Sequence, residues 1–165
     1  MNLCMITPPE TTCCFTGHRE ISREAIGAGL VDKLDAVVAA LYDDGMRTFR
    51  CGGALGFDTL SAISIIRFRA AHSDARLVLV LPCRDQDAGW SERARERYGR
   101  ILNAADEVVY IGNEYKKGIM LERDRCLVDG CSVCVAYLKS DKSRSGTGYT
   151  VKYAKRSGLR MIYIE

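Results

Sequence analysis

Apolar residues recur along this chain in two alternating rhythms. Short runs with strand character cover residues 12–15, 48–51, 77–81, 107–111, 131–138 and 160–164. The third, Leu77-Val78-Leu79-Val80-Leu81, is unbroken and ended by Pro82, the pattern of a strand covered on both faces. Between the runs the spacing turns helical. Residues 22–43 put Ile26, Leu30, Leu34, Val37, Val38 and Leu41 on one face, with Ser22 as N-cap and Gly45 as stop. Further helices are predicted from Asp58 or Thr59 to His72, over 91–103, 118–129 and 147–157, the last closed by Gly158. Six strands separated by helices predict an α/β fold. The sheet is doubly wound, mostly parallel and six-stranded, with helices on both faces, a Rossmann-like arrangement. No repeat, low-complexity segment or linker divides the 165 residues, so one domain is expected over 1–165.

In such sheets ligands bind beyond the carboxyl ends of the strands, near the point where strand order reverses. The chemically unusual residues gather at that edge. Thr16-Gly17-His18-Arg19 follows the first strand and Gly52-Gly53-Ala54-Leu55-Gly56 the second. Pro82-Cys83-Arg84-Asp85-Gln86 follows the third, and Ser145-Gly146-Thr147-Gly148 the fifth. Two of these segments are glycine turns running into helices. Glycines there leave backbone N–H groups uncovered at a helix N-terminus, where the dipole favours an anion. Tight chain packing is the competing use of the same glycines. Asp58 is suited either to a ribose hydroxyl and acid–base work or to capping its helix. His18 is the other acid–base candidate.

Composition narrows the partners. The net charge of +3 does not by itself imply nucleic acid, but Lys139, Lys142, Arg144, Lys152, Lys155, Arg156 and Arg160 face only Asp141 within residues 139–160. A basic rim of this kind steers phosphorylated ligands or a nucleic-acid strand, or is simply a solvated helix face. No segment is long enough to span a membrane and the first ten residues lack the form of a secretory signal, so the cytoplasm is expected, with its eight cysteines reduced. Cys131 and Cys134 form a CxxC, yet residues three apart on a strand face opposite ways, as do Cys13 and Cys14. Buried structural thiols and no metal site are therefore expected.

Familiar catalytic signatures are missing. Neither glycine turn has the lysine and hydroxyl of a Walker A loop. A full dinucleotide fingerprint would need glycine at Cys51 and an acid where Pro82 stands. There is no GxSxG elbow, and His18 has no Ser or Cys partner by spacing.

Five segments in order nevertheless resemble a known group. They are Cys14-Phe15-Thr16-Gly17-His18-Arg19, Gly52-Gly53-Ala54-Leu55-Gly56-Phe57-Asp58, Leu81-Pro82-Cys83-Arg84-Asp85-Gln86 with Trp90, Glu122-Arg123-Asp124-Arg125, and Ser145-Gly146-Thr147-Gly148-Tyr149-Thr150 with Tyr153-Ala154. Together they resemble the SLOG superfamily, the Rossmann-like group of the DNA-processing protein DprA and the LOG-type phosphoribohydrolases, and within it the YpsA-type branch. The resemblance covers nearly the whole chain. It implies a site for a nucleotide or nucleotide-derived ligand, of the ADP-ribose, NAD or AMP kind. The turns at Gly52, Gly53, Ala54, Gly56, Asp58 and at Ser145, Gly146, Thr147, Gly148, Thr150 would hold phosphate and ribose. Thr16, Gly17, His18 and Arg19 would close one side and Arg123 would sit near the phosphate. By its residue type Arg123 is equally suited to an i,i+4 partner on a solvated helix, and Gln86 with Trp90 to a wall on the base side, with packing over the helix start as the competing use of Trp90. The phosphoribohydrolases resemble one another in a Pro-Gly-Gly-x-Gly-Thr-x-x-Glu motif. Setting Gly146-Thr147 on its Gly-Thr puts Lys142-Ser143-Arg144 at the Pro-Gly-Gly and Thr150 at the glutamate. A hydroxyl cannot stabilise a developing ribosyl cation as a carboxylate does.

Three readings follow. The preferred one is binding or sensing of a nucleotide-derived small molecule at the carboxyl edge of the sheet. The alternatives are a nucleotide-processing enzyme using Asp58 or His18, and a DprA-like binder of single-stranded DNA. Against the last stand few aromatic residues near that edge: Trp90, Tyr149 and Tyr153. No tightly held cofactor is expected beyond such a ligand, no membrane partner, and a homo-oligomer is compatible with the sequence.

Overall fold

The computed structural model describes residues 4, 7–139 and 145–165. Its six strands are β1 (Thr12–Gly17), β2 (Thr48–Cys51), β3 (Arg76–Leu81), β4 (Glu107–Tyr110), β5 (Val133–Tyr137) and β6 (Arg160–Tyr163). They form one sheet in the order β4-β3-β2-β1-β5-β6. Every pairing is parallel, so the expected "mostly parallel" sheet is wholly so. The chain leaves β1 toward β2, β3 and β4 on one side, then returns to place β5 against the other flank of β1. The reversal of strand order therefore falls between β1 and β5, where Thr16 pairs with Ala136 and Gly17 with Tyr137. This is the crevice where such sheets receive ligands.

Alternation along the strands supplies two cores. Cys13 and Phe15 of β1, Phe49 of β2, Leu77, Leu79 and Leu81 of β3 and Val133 and Val135 of β5 face one side. They are covered by α2 (Leu30–Asp43), α3 (Phe57–Arg69) and α4 (Glu92–Ala104). Cys14, Val78, Val80 and Cys134 face the other side, covered by α5 (Ile119–Val128) and α6 (Gly146–Arg156). Burial of both faces is why the strands read as apolar runs.

The single helix predicted over 22–43 is two. Ser22 does cap the short helix α1 (Arg23–Gly27), accepting from the Ala25 N–H at 3.1 Å. The helix then stops, because Gly29 takes a left-handed φ of 88° before α2 begins. Leu30, Leu34, Val38 and Leu41 are buried as expected, whereas Ile26 is 45% exposed on the detached turn. Glycines at 27 and 29 make that break inexpensive.

The cysteines differ from expectation in two ways. Cys4 and Cys126 form a disulfide that ties the start of the described chain to α5, across 122 residues, in place of two reduced thiols. Nothing in the spacing signals this pairing; the tertiary path beside α5 creates it. The other six thiols are free and buried. The strand-face argument for Cys131 and Cys134 also fails, since Cys131 precedes β5 and joins Cys134 and Cys14 in one cluster. Burial itself stands, and it pushes the Cys13 and Cys51 thiols well above their usual value, leaving them protonated and inert. Among the described residues no group of three His, Cys, Asp or Glu side chains is arranged to hold a metal. No helix among the described residues is long and apolar enough to cross a membrane.

Denatured but unreduced protein should take up six alkyl groups from iodoacetamide, and reduced protein eight. Intact mass reads the difference, and uptake of eight groups without reductant would contradict the Cys4–Cys126 bridge.

Candidate functional site

The carboxyl ends of β1, β2 and β5 open into a cleft of about 380 Å³. Its walls are Thr16, Gly17, His18 and Arg19 after β1, and Ala54 and Asp58 after β2. Met120, Leu121, Arg123 and Asp124 of α5 and Ser145, Gly146, Thr147 and Thr150 at the start of α6 complete them. Eleven residues singled out from the sequence thus meet in one place: Thr16, Gly17, His18, Arg19, Ala54, Asp58, Arg123, Ser145, Gly146, Thr147 and Thr150.

Asp58 sits in the first turn of α3 and is only 6% exposed. Its carboxylate accepts from the Ala54 N–H at 3.2 Å. Burial pushes its pKa up to about 6, against the opposing pull of Arg123 and the Ala54 N–H. Arg123 is likewise buried, which excludes the solvated helix partner as its role. Its Nη1 donates to the Gly52 carbonyl at 2.6 Å and its Nε to Asp124 at 2.9 Å. Its guanidinium therefore holds the β2 turn to α5 at the floor of the cleft.

The first glycine turn is closed from within. A β-carbon at Gly52 would lie 2.8 Å from Asp58 Oδ2 and 2.9 Å from Arg123 Nη1. At Gly53, with φ of 69°, it would run into the Leu81 side chain. At Gly56, with φ of 76°, it would strike the carbonyls of Arg19 and His18. Two N–H groups of this turn are already taken, Ala54 by Asp58 and Phe57 by the His18 carbonyl at 3.0 Å. Gly52, Gly53 and Gly56 thus serve close approach of chain to chain, and none of them lines the cleft. The second turn is different. Ser145 caps α6 by accepting from the Gly148 N–H at 3.0 Å. As the first helical residues, Gly146 and Thr147 have N–H groups with no intrahelical acceptor, and both residues border the cleft. Gly148 is buried behind them and is not part of the lining. Lys142, Ser143 and Arg144 lie outside the described residues, as does Asp141.

His18 braces two loops. Its Nε2 accepts the Lys139 backbone N–H at 3.0 Å, which puts the ring proton on Nδ1. Thr150 is 1% exposed and donates its hydroxyl to the Gly146 carbonyl at 3.0 Å. The first turn of α6 carries no acid. Tyr149 turns away from the cleft, accepting from Arg125 at 3.1 Å and stacking on Tyr153.

Gln86 lies in a neighbouring cleft of about 500 Å³, with Arg19, Pro82, Cys83, Asp85, Ala88, Trp90, Tyr115 and Met120. Sequence reasoning did not single out Met120, Leu121 or Tyr115. Met120 and Leu121 belong to an apolar helical run, and Tyr115 to a loop with no motif, so neither context marks them.

The fold and the position of this cleft define a Rossmann-like α/β protein. The YspA SLOG family profile matches residues 15–165, and the chain belongs to that family. Among its relatives, the uncharacterized SPbeta prophage-derived protein YoqJ of Bacillus subtilis is 29% identical over 143 residues, 79% of this chain and 82% of that one. A UPF0398 protein of Halalkalibacterium halodurans is 27% identical over 123 residues, 72% of this chain, which spans only 64% of that relative's length. The solved structure of TM1055, a structural genomics target, matches with a TM-score of 0.57 at 14% identity, covering 92% of this chain and 72% of that one. This last likeness concerns the fold alone.

The raised Asp58 pKa has a defined consequence for stability. The folded state holds a proton at this carboxyl up to pH of about 6, whereas the unfolded chain releases it near 3.8. Its contribution to stability is therefore full below the unfolded value and is lost as pH rises through the folded one. Asp58→Asn removes that dependence. Relative to wild type, the variant should gain up to about 3 kcal/mol between pH of about 4 and about 7. Urea denaturation of both proteins at several pH values checks this; parallel stability curves would mean that Asp58 is not desolvated.

Proposed function

We propose that this protein binds a nucleotide-derived small molecule, with a phosphorylated pentose seated between Asp58 and the start of α6. The observation that carries this reading is the buried Asp58 carboxylate, open to a cleft whose opposite wall is a helix N-terminus. An ionised carboxylate there is costly until hydrogen-bond donors reach it. Ribose hydroxyls are such donors, and the α6 end favours a phosphate. Membership of the SLOG family supports a nucleotide-related role. Binding without turnover fits Thr150, whose hydroxyl is spent within α6 where the phosphoribohydrolases resemble one another in a glutamate.

A thermal-shift screen of AMP, NAD, ADP-ribose and ribose 5-phosphate tests this. Ligand at ~100 times its dissociation constant should add roughly 2.7 kcal/mol of stability. No shift with any of the four at millimolar concentration would remove the reading. For ADP-ribose, whose diphosphate does not titrate near pH of about 6, affinity should fall as pH drops and Asp58 takes up its proton. In Asp58→Asn that pH dependence should vanish.

An acid–base role for Asp58 is the second reading, favoured by its pKa of about 6. Nucleoside 5′-monophosphates incubated with the protein are expected to release no free base above background. Release that disappears in Asp58→Asn would replace the binding reading with a hydrolase. Single-stranded DNA has less support. Lys152, Lys155 and Arg156 are exposed on α6 but are not part of the cleft lining, and the rings of Tyr149 and Tyr153 are tied to each other and to α5 and its end.

A further inference from the structure

Cys14, Cys126, Cys131 and Cys134 are buried together on the α5–α6 side of the sheet, and Cys4 packs against them. The bridge from Cys4 to Cys126 closes a seam there that little else closes. None of the described residues between 4 and 11 is buried, and the short turn at Pro9–Thr11 adds nothing to either core. Apart from the bridge, this segment is held by hydrogen bonds. The Thr12 hydroxyl donates to the Pro8 carbonyl at 2.7 Å, and Thr7 Oγ1 accepts from Arg50 at 3.2 Å. A void of about 10 Å³, room for about one water, lies at the seam and is bordered by Cys4, Thr7, Arg50 and Cys126.

Arg50 gives this seam its chemistry. It stands on β2 and is only 4% exposed. Its Nη1 donates to the carbonyls of Cys126 and Asp129, and its Nη2 to Thr7. These three acceptors are neutral, so they leave the guanidinium charge unneutralised. The same charge acts on the Cys131 thiol, which a hydrogen bond from Cys14 and then Arg50 pull below its usual value against the effect of burial.

We propose that the Cys4–Cys126 bridge is a reversible redox latch, which a small dithiol opens to free Cys4 and Thr7 from the end of α5 while the rest of the fold stays intact. Cys4 is the half-buried end of the bridge and Cys126 the buried one, so the attacking thiolate reaches Cys4 Sγ first. A bond forms between that thiolate and Cys4, and the bond to Cys126 breaks. Cys126 departs as a thiolate beside Arg50, whose positive charge makes it a better leaving group. The second thiol of the reagent then attacks the mixed disulfide and releases Cys4. The dithiol leaves as its own disulfide, oxidised by two electrons, and its two protons end on Cys4 and Cys126. Opening removes the covalent hold on α5 and the segment that carries Thr7, one of the three acceptors of Arg50. The effect extends along α5, because Arg123, one turn before Cys126, holds the Gly52 carbonyl at the floor of the cleft. None of this depends on what the cleft binds.

The test uses the folded protein without denaturant. It is treated with dithiothreitol, then with iodoacetamide, and the alkylated cysteines are counted by intact mass and mapped by peptide digestion. Two groups are expected, at Cys4 and Cys126, with the six buried thiols untouched. Oxidised glutathione, added in place of iodoacetamide, should restore the bridge. Uptake of no group would make the bridge a permanent structural bond. Uptake of one, at Cys4, would mean that the bond is reduced but the seam stays shut. Uptake of all eight would mean that reduction unfolds the domain. Each of these three results overturns the latch. Hydrogen exchange gives a second reading. Amides of α5 should exchange at least about tenfold faster in the reduced protein, while those of β3 stay unchanged. Cys4→Ser should show the same faster exchange with no reductant present. Exchange in α5 that is equal in the oxidised, reduced and Cys4→Ser proteins would also overturn the proposal.

Discussion

Buried Arg123 is the contact on which the carboxyl edge of this sheet depends. It reaches from α5 to the Gly52 carbonyl, pairs with Asp124, and lowers the cost of ionising Asp58. A buried guanidinium is costly to desolvate, so removing its partners, or removing it from them, is strongly destabilising. Because it sits where α5 crosses the end of β2, it couples the two walls of the cleft. The absence of a side chain at Gly52 is part of the same arrangement, since a β-carbon there would displace both charged groups.

Close packing extends that constraint to β1. Gly17 lies against the Phe57 ring, Gly56 beneath the carbonyls of His18 and Arg19, and the Phe57 N–H donates to His18. The segment after β1 is therefore clamped onto the start of α3. On its other side the His18 ring accepts from Lys139 at the end of β5. These contacts hold the rim of the crevice in one shape from both strands flanking β1. They also leave Arg19 projecting at the point where two clefts meet.

The electrostatic character of the cleft follows from this geometry. Before α3 the Ala54 N–H is taken by Asp58 and the Phe57 N–H by the His18 carbonyl, whereas at the α6 start Ser145 caps the Gly148 N–H and leaves those of Gly146 and Thr147 without an intrahelical acceptor beside the cleft. An anion is therefore favoured on the α6 side and hydroxyl donors on the Asp58 side.

Alternating strand and helix periods determined the α/β architecture and the six strands, because burial on both faces leaves its mark on every strand residue. The same reading put Thr16 to Arg19, the Gly52 turn, Pro82 to Gln86 and the Ser145 turn at one edge, since parallel connectivity sends all strand ends the same way, while Arg123 was reached only through the family resemblance. Tertiary structure alone decided which of the two glycine turns is open. A glycine excused from carrying a β-carbon looks identical in sequence whether a ligand or the chain itself takes the space. The same holds for the break at Gly29, for the grouping of Cys131 with Cys14 and Cys134, and for the Cys4–Cys126 bridge. Met120, Leu121 and Tyr115 entered the clefts through the placement of α5 and its preceding loop against β1 and β3. Such placement is a property of packing between distant segments, and local patterns carry no record of it.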